Sequence, residues 1–87
     1  MMQITFNLQI ASINVELCME SNNIIDRAFR EIVKQQEILK MMSIDFYYSY
    51  MQKRLVSAYF TLEEAGIVSG DKLIAVCNGK VLNGKHI

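Results

Sequence analysis

The strongest constraint on the fold of this chain is a two-residue hydrophobic period near its start. Over residues 2–10 every second side chain is apolar and those between are polar, and a similar alternation runs through residues 13–20. Because successive side chains of a strand point to opposite faces, this period predicts two half-buried strands in an antiparallel hairpin. The Ala11-Ser12 connection lacks the residues that two-residue turns favour, so the pattern does not predict the turn itself.

A helix is predicted to follow the hairpin. Residues 21–23 all favour helix N-termini, and Asp26 stands three positions after Asn23, as in a capping box. Charged residues, Asp26 among them, fall on the face opposite an apolar stripe, which indicates a solvated surface. The end of the helix stays open, because residues 34–42 contain no glycine or proline. The apolar stripe consists of Ile25, Ala28, Phe29 and Ile32.

The second half of the chain has the pattern of extended structure with short turns. The predicted elements are a strand at 46–51, a turn at 52–54, a return strand at 55–56, a single helical turn at 61–67 and a last strand at 72–77. A hairpin, a helix and then further strands are typical of an α+β fold in which one main helix packs across a mixed sheet.

The composition bears on the class of protein and on its partners. Of the 87 residues, 52% are hydrophobic, more than one small domain easily buries. The excess is either a dense core with scattered exposed methionines or a surface patch that binds a partner. Nine basic and nine acidic residues form no basic stripe for nucleic acid, and no apolar run could span a membrane. Without a recognisable targeting segment, we expect a cytoplasmic protein.

Residues that perform catalysis or bind metals form no constellation in this sequence. Cys18 and Cys77 are too few for a disulfide framework or a metal site, and His86 has no second ligand at a useful spacing. All four glycines follow residue 65, so no glycine-rich phosphate loop occurs. We therefore expect neither an enzyme nor a protein with a cofactor.

The order of elements and one motif resemble ubiquitin. Residues 2–4 open the first strand much as ubiquitin does, and residues 61–73 (TLEEAGIVSGDKL) resemble the stretch before the last strand of ubiquitin-like domains. The resemblance covers residues 2–77. It implies a β-grasp fold, an α+β class with one main helix packed across a mixed sheet whose first strand is flanked by the second and last strands. The domain would span 1–80, followed by a C-terminal tail at 81–87, with Leu62 and Ile67 in the core.

Among ubiquitin-like families, the chain is most similar to the small cytosolic accessory protein of bacterial type VII secretion systems. The similarity lies in its length, its alternating first strand and its Gly-Asp-basic-Leu entry into the last strand. The chain ends in Asn-Gly-Lys-His-Ile, without the Gly-Gly of conjugated relatives and sulfur carriers, so we expect neither conjugation nor sulfur carriage. Ferredoxins of the β-grasp class require four cysteines, and this chain has two.

The resemblance also implies a protein-binding surface on the sheet. If the last strand follows the ubiquitin pattern, Ile74 and Val76 face outward, and the neighbouring strand places Tyr48 and Tyr50 beside them. A shift of parity by one residue would bury these aromatic side chains instead. Because residues 46–50 do not alternate, the sequence leaves both arrangements open.

Together these observations predict a non-conjugated ubiquitin-like interaction module that acts as an adaptor or regulatory subunit. Its partners would be proteins, with no nucleic acid, no direct membrane insertion, and homo-oligomers as an open possibility. The alternative is a structural subunit permanently embedded in a larger assembly, which the apolar segment at 38–42 motivates.

Overall fold

The computed structural model describes residues 2–35, 42–77 and 80–81. The elements are strands β1 Gln3–Ile10 and β2 Ile13–Glu20, helix α1 Ile25–Val33, and strands β3 Phe46–Ser49, β4 Arg54–Ser57, β5 Lys72–Cys77 and β6 Lys80–Val81. The strands form one sheet in the order β2-β1-β5-β3-β4, with β6 paired to β5. The β1–β5 pair is parallel and the other pairs are antiparallel, so the sheet is mixed. The described chain is therefore an α+β fold with one helix, as predicted.

The hairpin of β1 and β2 confirms the two-residue period. Alternate side chains of β1 from Ile4 onward are buried, whereas the inward side chains of β2 are only half-buried and its other side chains are exposed. The register sets Ile10 opposite Ile13, which makes Ala11-Ser12 the two-residue loop. Ala11 has a φ of 54°, in the left-handed region where a Cβ atom is unfavourable. The poor turn chemistry of the sequence therefore appears as local backbone strain.

Replacing Ala11 by glycine should stabilise the hairpin, because glycine adopts a positive φ without a Cβ clash. We expect the free energy of unfolding in urea to rise by about 0.5–1 kcal/mol. The control is Ser12→Gly, which should lower stability, since Ser12 is not among the residues with positive φ. A lower stability for Ala11→Gly would contradict the prediction.

Helix α1 buries the predicted apolar face, but it begins differently from the prediction. Ile24 is the N-cap residue, and no side chain caps the helix. Instead the amide of Ile25 donates to the carbonyl of Phe60 at 2.9 Å, and the amide of Asp26 donates to Ala58 at 2.7 Å. The loop after β4 thus satisfies amides that a helix start leaves free, and the capping-box prediction was wrong. The apolar segment at 38–42 lies outside the described residues except for its last residue.

Asp26 is buried rather than solvated, which corrects the sequence prediction. Asp26 as a whole is 8% exposed, and its carboxylate accepts a hydrogen bond from the Arg30 Nε at 2.9 Å. The Arg30 side chain remains 74% exposed, so water still hydrates most of its charge. Farther along α1, the Lys34 ammonium donates to Glu31 at 2.9 Å and lowers the pKa of that carboxyl group.

The core fills the space between α1 and one face of the sheet. The central strands are its most deeply buried part, with Leu8 of β1 and Leu73 of β5 fully buried. The loop between β4 and β5 closes one end of the core through Leu62 and Ile67, which the ubiquitin-like resemblance placed there. This loop has hydrogen-bonded turns at 62–66 in place of a full helical turn.

Tyr47 of β3 brings a polar atom into this core. The residue is fully buried, and its hydroxyl has no hydrogen-bond partner among the described residues. Burial raises the pKa of this hydroxyl far above its ordinary value, and the nearby Asp26 carboxylate adds to the effect. The folded protein therefore holds Tyr47 neutral.

Replacing Tyr47 by phenylalanine should stabilise the protein by about 1 kcal/mol at neutral pH, since it removes a buried hydroxyl that lacks a partner. The substitution should also reduce the decrease in the free energy of unfolding that the parent shows at alkaline pH. In the parent, Tyr47 ionises near pH 10 only after unfolding, so stability falls above that pH by about 1.4 kcal/mol per unit.

Urea denaturation between pH 7 and pH 11 checks both effects. The control is Tyr50→Phe, because the Tyr50 side chain is 63% exposed and is not part of the core. An alkaline decline that persists unchanged in Tyr47→Phe would show that another group causes it.

Candidate functional site

The pairing of β3 with β5 decides which side chains of these strands reach the surface. Tyr48 lies opposite Ile74, and Phe46 lies opposite Val76. The intervening side chains of both strands are fully buried in the core; they are Tyr47, Ser49, Leu73 and Ala75. Because side chains alternate between the two faces, Tyr48, Ile74 and Val76 point away from α1. The alternative arrangement, in which β3 is shifted by one residue and Tyr48 faces the core, is thereby excluded.

Tyr50 extends the same surface beyond the end of β3. Its amide donates to the Lys72 carbonyl at 2.9 Å, which continues the pairing with β5 by one residue. Tyr50 is 63% exposed, whereas Tyr48, Ile74 and Val76 are half-buried. The structure therefore brings the four residues predicted from sequence together on the outer face of the sheet.

Two further apolar side chains belong to this surface and were missed by the sequence prediction. Phe46 is 50% exposed beside Val76, and Leu55 of β4 is 55% exposed opposite Tyr48. The sequence carried no periodic signal for either residue, because Phe46 stands beside Tyr47 and Leu55 beside Val56. Once Tyr48 is placed outward, strand geometry also places Phe46 outward, and the pairing with Tyr48 places Leu55 on the same face. We call the whole surface the apolar sheet patch; its members are Phe46, Tyr48, Tyr50, Leu55, Ile74 and Val76.

The other half of the outer face has the opposite character. There β1 and β2 present amide, hydroxyl, thiol and carboxylate groups in place of apolar side chains. These belong to Thr5, Asn7, Gln9, Asn14, Glu16, Cys18 and Glu20. The apolar sheet patch is therefore confined to β3, β4 and β5, and it ends at the boundary between β5 and β1.

A lysine lies at one border of the apolar sheet patch. Lys72 shares the outer face with Ile74 and stands next to Tyr50 across the β3–β5 pair. On the opposite side its neighbour is Asn7 of β1. Both ion pairs in the described part of the chain lie on α1, so the Lys72 ammonium has no carboxylate partner there.

A buried carboxylate supports the patch from beneath. Asp71 is fully buried and precedes β5. Its Oδ2 accepts a hydrogen bond from the Ser49 hydroxyl at 2.6 Å, and its Oδ1 accepts from the amides of Met51 at 3.0 Å and Lys72 at 2.7 Å. The carboxylate thus fixes the chain on both sides of Tyr50.

Replacing Asp71 by asparagine should destabilise the protein by about 2–4 kcal/mol, because an amide supplies one acceptor oxygen where the carboxylate uses both. The matched variant Ser49→Ala removes the donor to Oδ2 and the acceptor of the Gln52 amide, but leaves both amides bonded to Oδ1, so it should cost less, about 1–2 kcal/mol. Urea denaturation of the two variants measures the difference. Equal losses would mean that the hydroxyl, rather than the amides, carries the interaction.

The described residues hold no obvious site for chemistry. No group of three or more histidine, cysteine, aspartate or glutamate side chains among them could hold a metal ion. Cys18 is exposed, and its thiol donates to Gln3 Oε1 at 3.0 Å. Cys18 lies on β2 and Cys77 on β5, with β1 between them, so their strands are roughly 10 Å apart.

No protein-family model, no curated protein and no solved structure matches this chain. Within the described residues, no helix is long and apolar enough to cross a membrane.

Proposed function

We propose that this chain is a cytoplasmic, non-catalytic and non-conjugated ubiquitin-like protein of the β-grasp class, which acts as an adaptor or regulatory subunit. Support for the fold comes from the sheet order, since β2 and β5 flank β1 and α1 packs on one face only. The observation that carries the function is the apolar sheet patch, an exposed cluster of aromatic and aliphatic side chains on an otherwise polar outer face.

The residue types of the patch suit binding to another protein. Tyr48 and Tyr50 combine a large apolar ring with a polar hydroxyl, so they can exclude water and still form a hydrogen bond. Tyrosine is enriched among the residues that contribute most to the affinity of interfaces. Ile74 and Val76 lie on a strand in the middle of the sheet, which holds them in a fixed arrangement.

The charge at the border favours a particular partner chemistry. Because Lys72 has no carboxylate partner among the described residues, it can meet an acidic group of another protein without breaking an existing ion pair. We expect the partner to present apolar side chains to Tyr48, Tyr50 and Ile74, with a carboxylate beside them that faces Lys72. Complementary charge of this kind improves specificity and the rate of association.

The narrower proposal is that this chain is an accessory of a bacterial type VII secretion system, and that its partner is a component of that system. Its support is the similarity in the first strand and in the Gly70-Asp71-Lys72-Leu73 entry into β5. The identity of a captured partner tests this proposal separately from the binding surface.

The test uses the tagged protein and a Tyr50→Ala, Ile74→Ala double variant in parallel capture from the native cell, followed by titration of the purified partner. The double variant should weaken binding by at least about thirtyfold, which is typical when central interface residues are truncated. A Lys72→Glu variant should also weaken it, because it sets like charges against each other.

The control is Asn14→Ala, which changes a polar side chain on β2, away from the apolar sheet patch and from Lys72. It should bind as the parent does, and circular dichroism should show that all variants fold. If the Tyr50→Ala, Ile74→Ala variant keeps full affinity while folded, the apolar sheet patch is not the binding surface.

A further inference from the structure

Strand β2 ends the sheet on the side away from the apolar sheet patch. It is eight residues long, and β1 is its only strand partner in the described part of the chain. The opposite edge strand, β4, has four residues. Proteins usually keep edge strands short, bulged or covered, because an open edge can pair with another chain. A long and regular open edge therefore requires an explanation.

The hydrogen-bond pattern shows which backbone groups point to that edge. The Ser21 amide donates to the Met2 carbonyl at 2.8 Å, so these two residues form a hydrogen-bonded pair. Hydrogen-bonded and non-hydrogen-bonded pairs alternate along an antiparallel ladder. The amides and carbonyls of Asn14, Glu16 and Cys18 therefore point away from β1. No described residue forms a hydrogen bond with these groups.

A groove runs beside this edge between β2 and α1. Its floor consists of the inward side chains of β2, which are only half-buried although they pack against the core. The groove includes Val15, Leu17 and Met19 on the strand and Arg27, Glu31 and Ile32 on the helix. A further strand beside β2 would place every second side chain over this floor and would complete its burial.

The glutamates on the outer face of β2 indicate which charge the side chains of an added strand would have. Glu16 lies opposite Asn7 and Glu20 lies opposite Gln3, so neither carboxylate has a basic neighbour on β1. Neither glutamate forms an ion pair with any described residue. Opposite charges on directly adjacent strands stabilise a pair by roughly 0.2–1 kcal/mol, so basic side chains are favoured beside these two positions.

We infer that β2 is a second binding site, distinct from the apolar sheet patch, which accepts an extended segment of another protein as an additional strand. The segment alternates apolar side chains, which enter the groove against α1, with basic side chains, which lie beside Glu16 and Glu20. Main-chain hydrogen bonds to Asn14, Glu16 and Cys18 supply affinity, and the alternation supplies specificity.

A second copy of this chain fits the edge less well. Antiparallel pairing of two β2 strands centred on Glu16 places that glutamate opposite its own copy. Pairing centred on Cys18 places Glu16 opposite Glu20. Pairing centred on Leu17 places Glu16 opposite Cys18 and Glu20 opposite Asn14, so neither carboxylate gains a basic neighbour. Like charges directly opposite each other destabilise a sheet, so the acidic face of β2 favours a basic partner segment.

The probe is a fluorescein-labelled heptapeptide of sequence Lys-Val-Lys-Val-Lys-Val-Lys, titrated with the full chain and followed by fluorescence anisotropy. We expect saturable binding, with slower hydrogen exchange at the amides of Glu16 and Cys18. Glu16→Lys should weaken binding about fivefold, because it replaces an attractive cross-strand pair by a repulsive one. A peptide of the same length in which glutamate replaces each lysine should bind the Glu16→Lys variant more tightly than the parent.

The matched control is Glu63→Lys, which makes the same change of charge in the loop after β4 and should leave the affinity unchanged. The Tyr50→Ala, Ile74→Ala variant should also bind the peptide normally, which separates this site from the apolar sheet patch. Three results would each overturn the inference: an absence of saturable binding, equal weakening by Glu16→Lys and Glu63→Lys, or protection of the β2 amides only in a dimer of this chain.

Discussion

The arrangement of three strands depends on the single residue Asp71. Its backbone carbonyl accepts the amide of Asn7 at 3.0 Å, at the start of the parallel pairing between β1 and β5. Its carboxylate accepts the Ser49 hydroxyl at 2.6 Å and the Met51 amide at 3.0 Å, at the end of the antiparallel pairing between β3 and β5. One residue therefore aligns both neighbours of β5. Since a slip of one residue would exchange the two faces of a strand, this alignment also decides which side chains form the apolar sheet patch.

Much of the fold could be predicted because its strongest signals are local. The period of β1 and β2 and the apolar face of α1 follow from neighbours in sequence, and the structure confirms them. The start of α1 and the burial of Asp26 could not be predicted, because both depend on contacts with distant parts of the chain. The loop residues Ala58 and Phe60 lie more than thirty positions beyond the helix amides that they accept. Short patterns carry no information about such contacts.

The candidate site was predictable in part for the same reason. The sequence named Tyr48, Tyr50, Ile74 and Val76, and the structure places them on one face. It did not settle the parity of β3, because aromatic residues at consecutive positions give no two-residue period. Only the pairing with β5, where Leu73 and Ala75 are fully buried, decides the question. The outer face of the sheet is thus divided into an apolar half on β3, β4 and β5 and a polar half that ends at β2, whose outer edge pairs with no strand of the described residues.

The parallel pairing of β1 with β5 has a consequence for how the chain is made. Its register with β5 pairs Asn7 with Lys72, so the two halves of the sheet join through residues that are synthesised far apart in time. Until β5 emerges from the ribosome, the first hairpin has two open edges and an apolar face that includes Phe6 and Leu8. Contacts of such long sequence separation slow folding and prolong the exposure of aggregation-prone surface. The apolar face of the first hairpin therefore lacks its β5 neighbour until the last part of the described sheet is available to pair with β1.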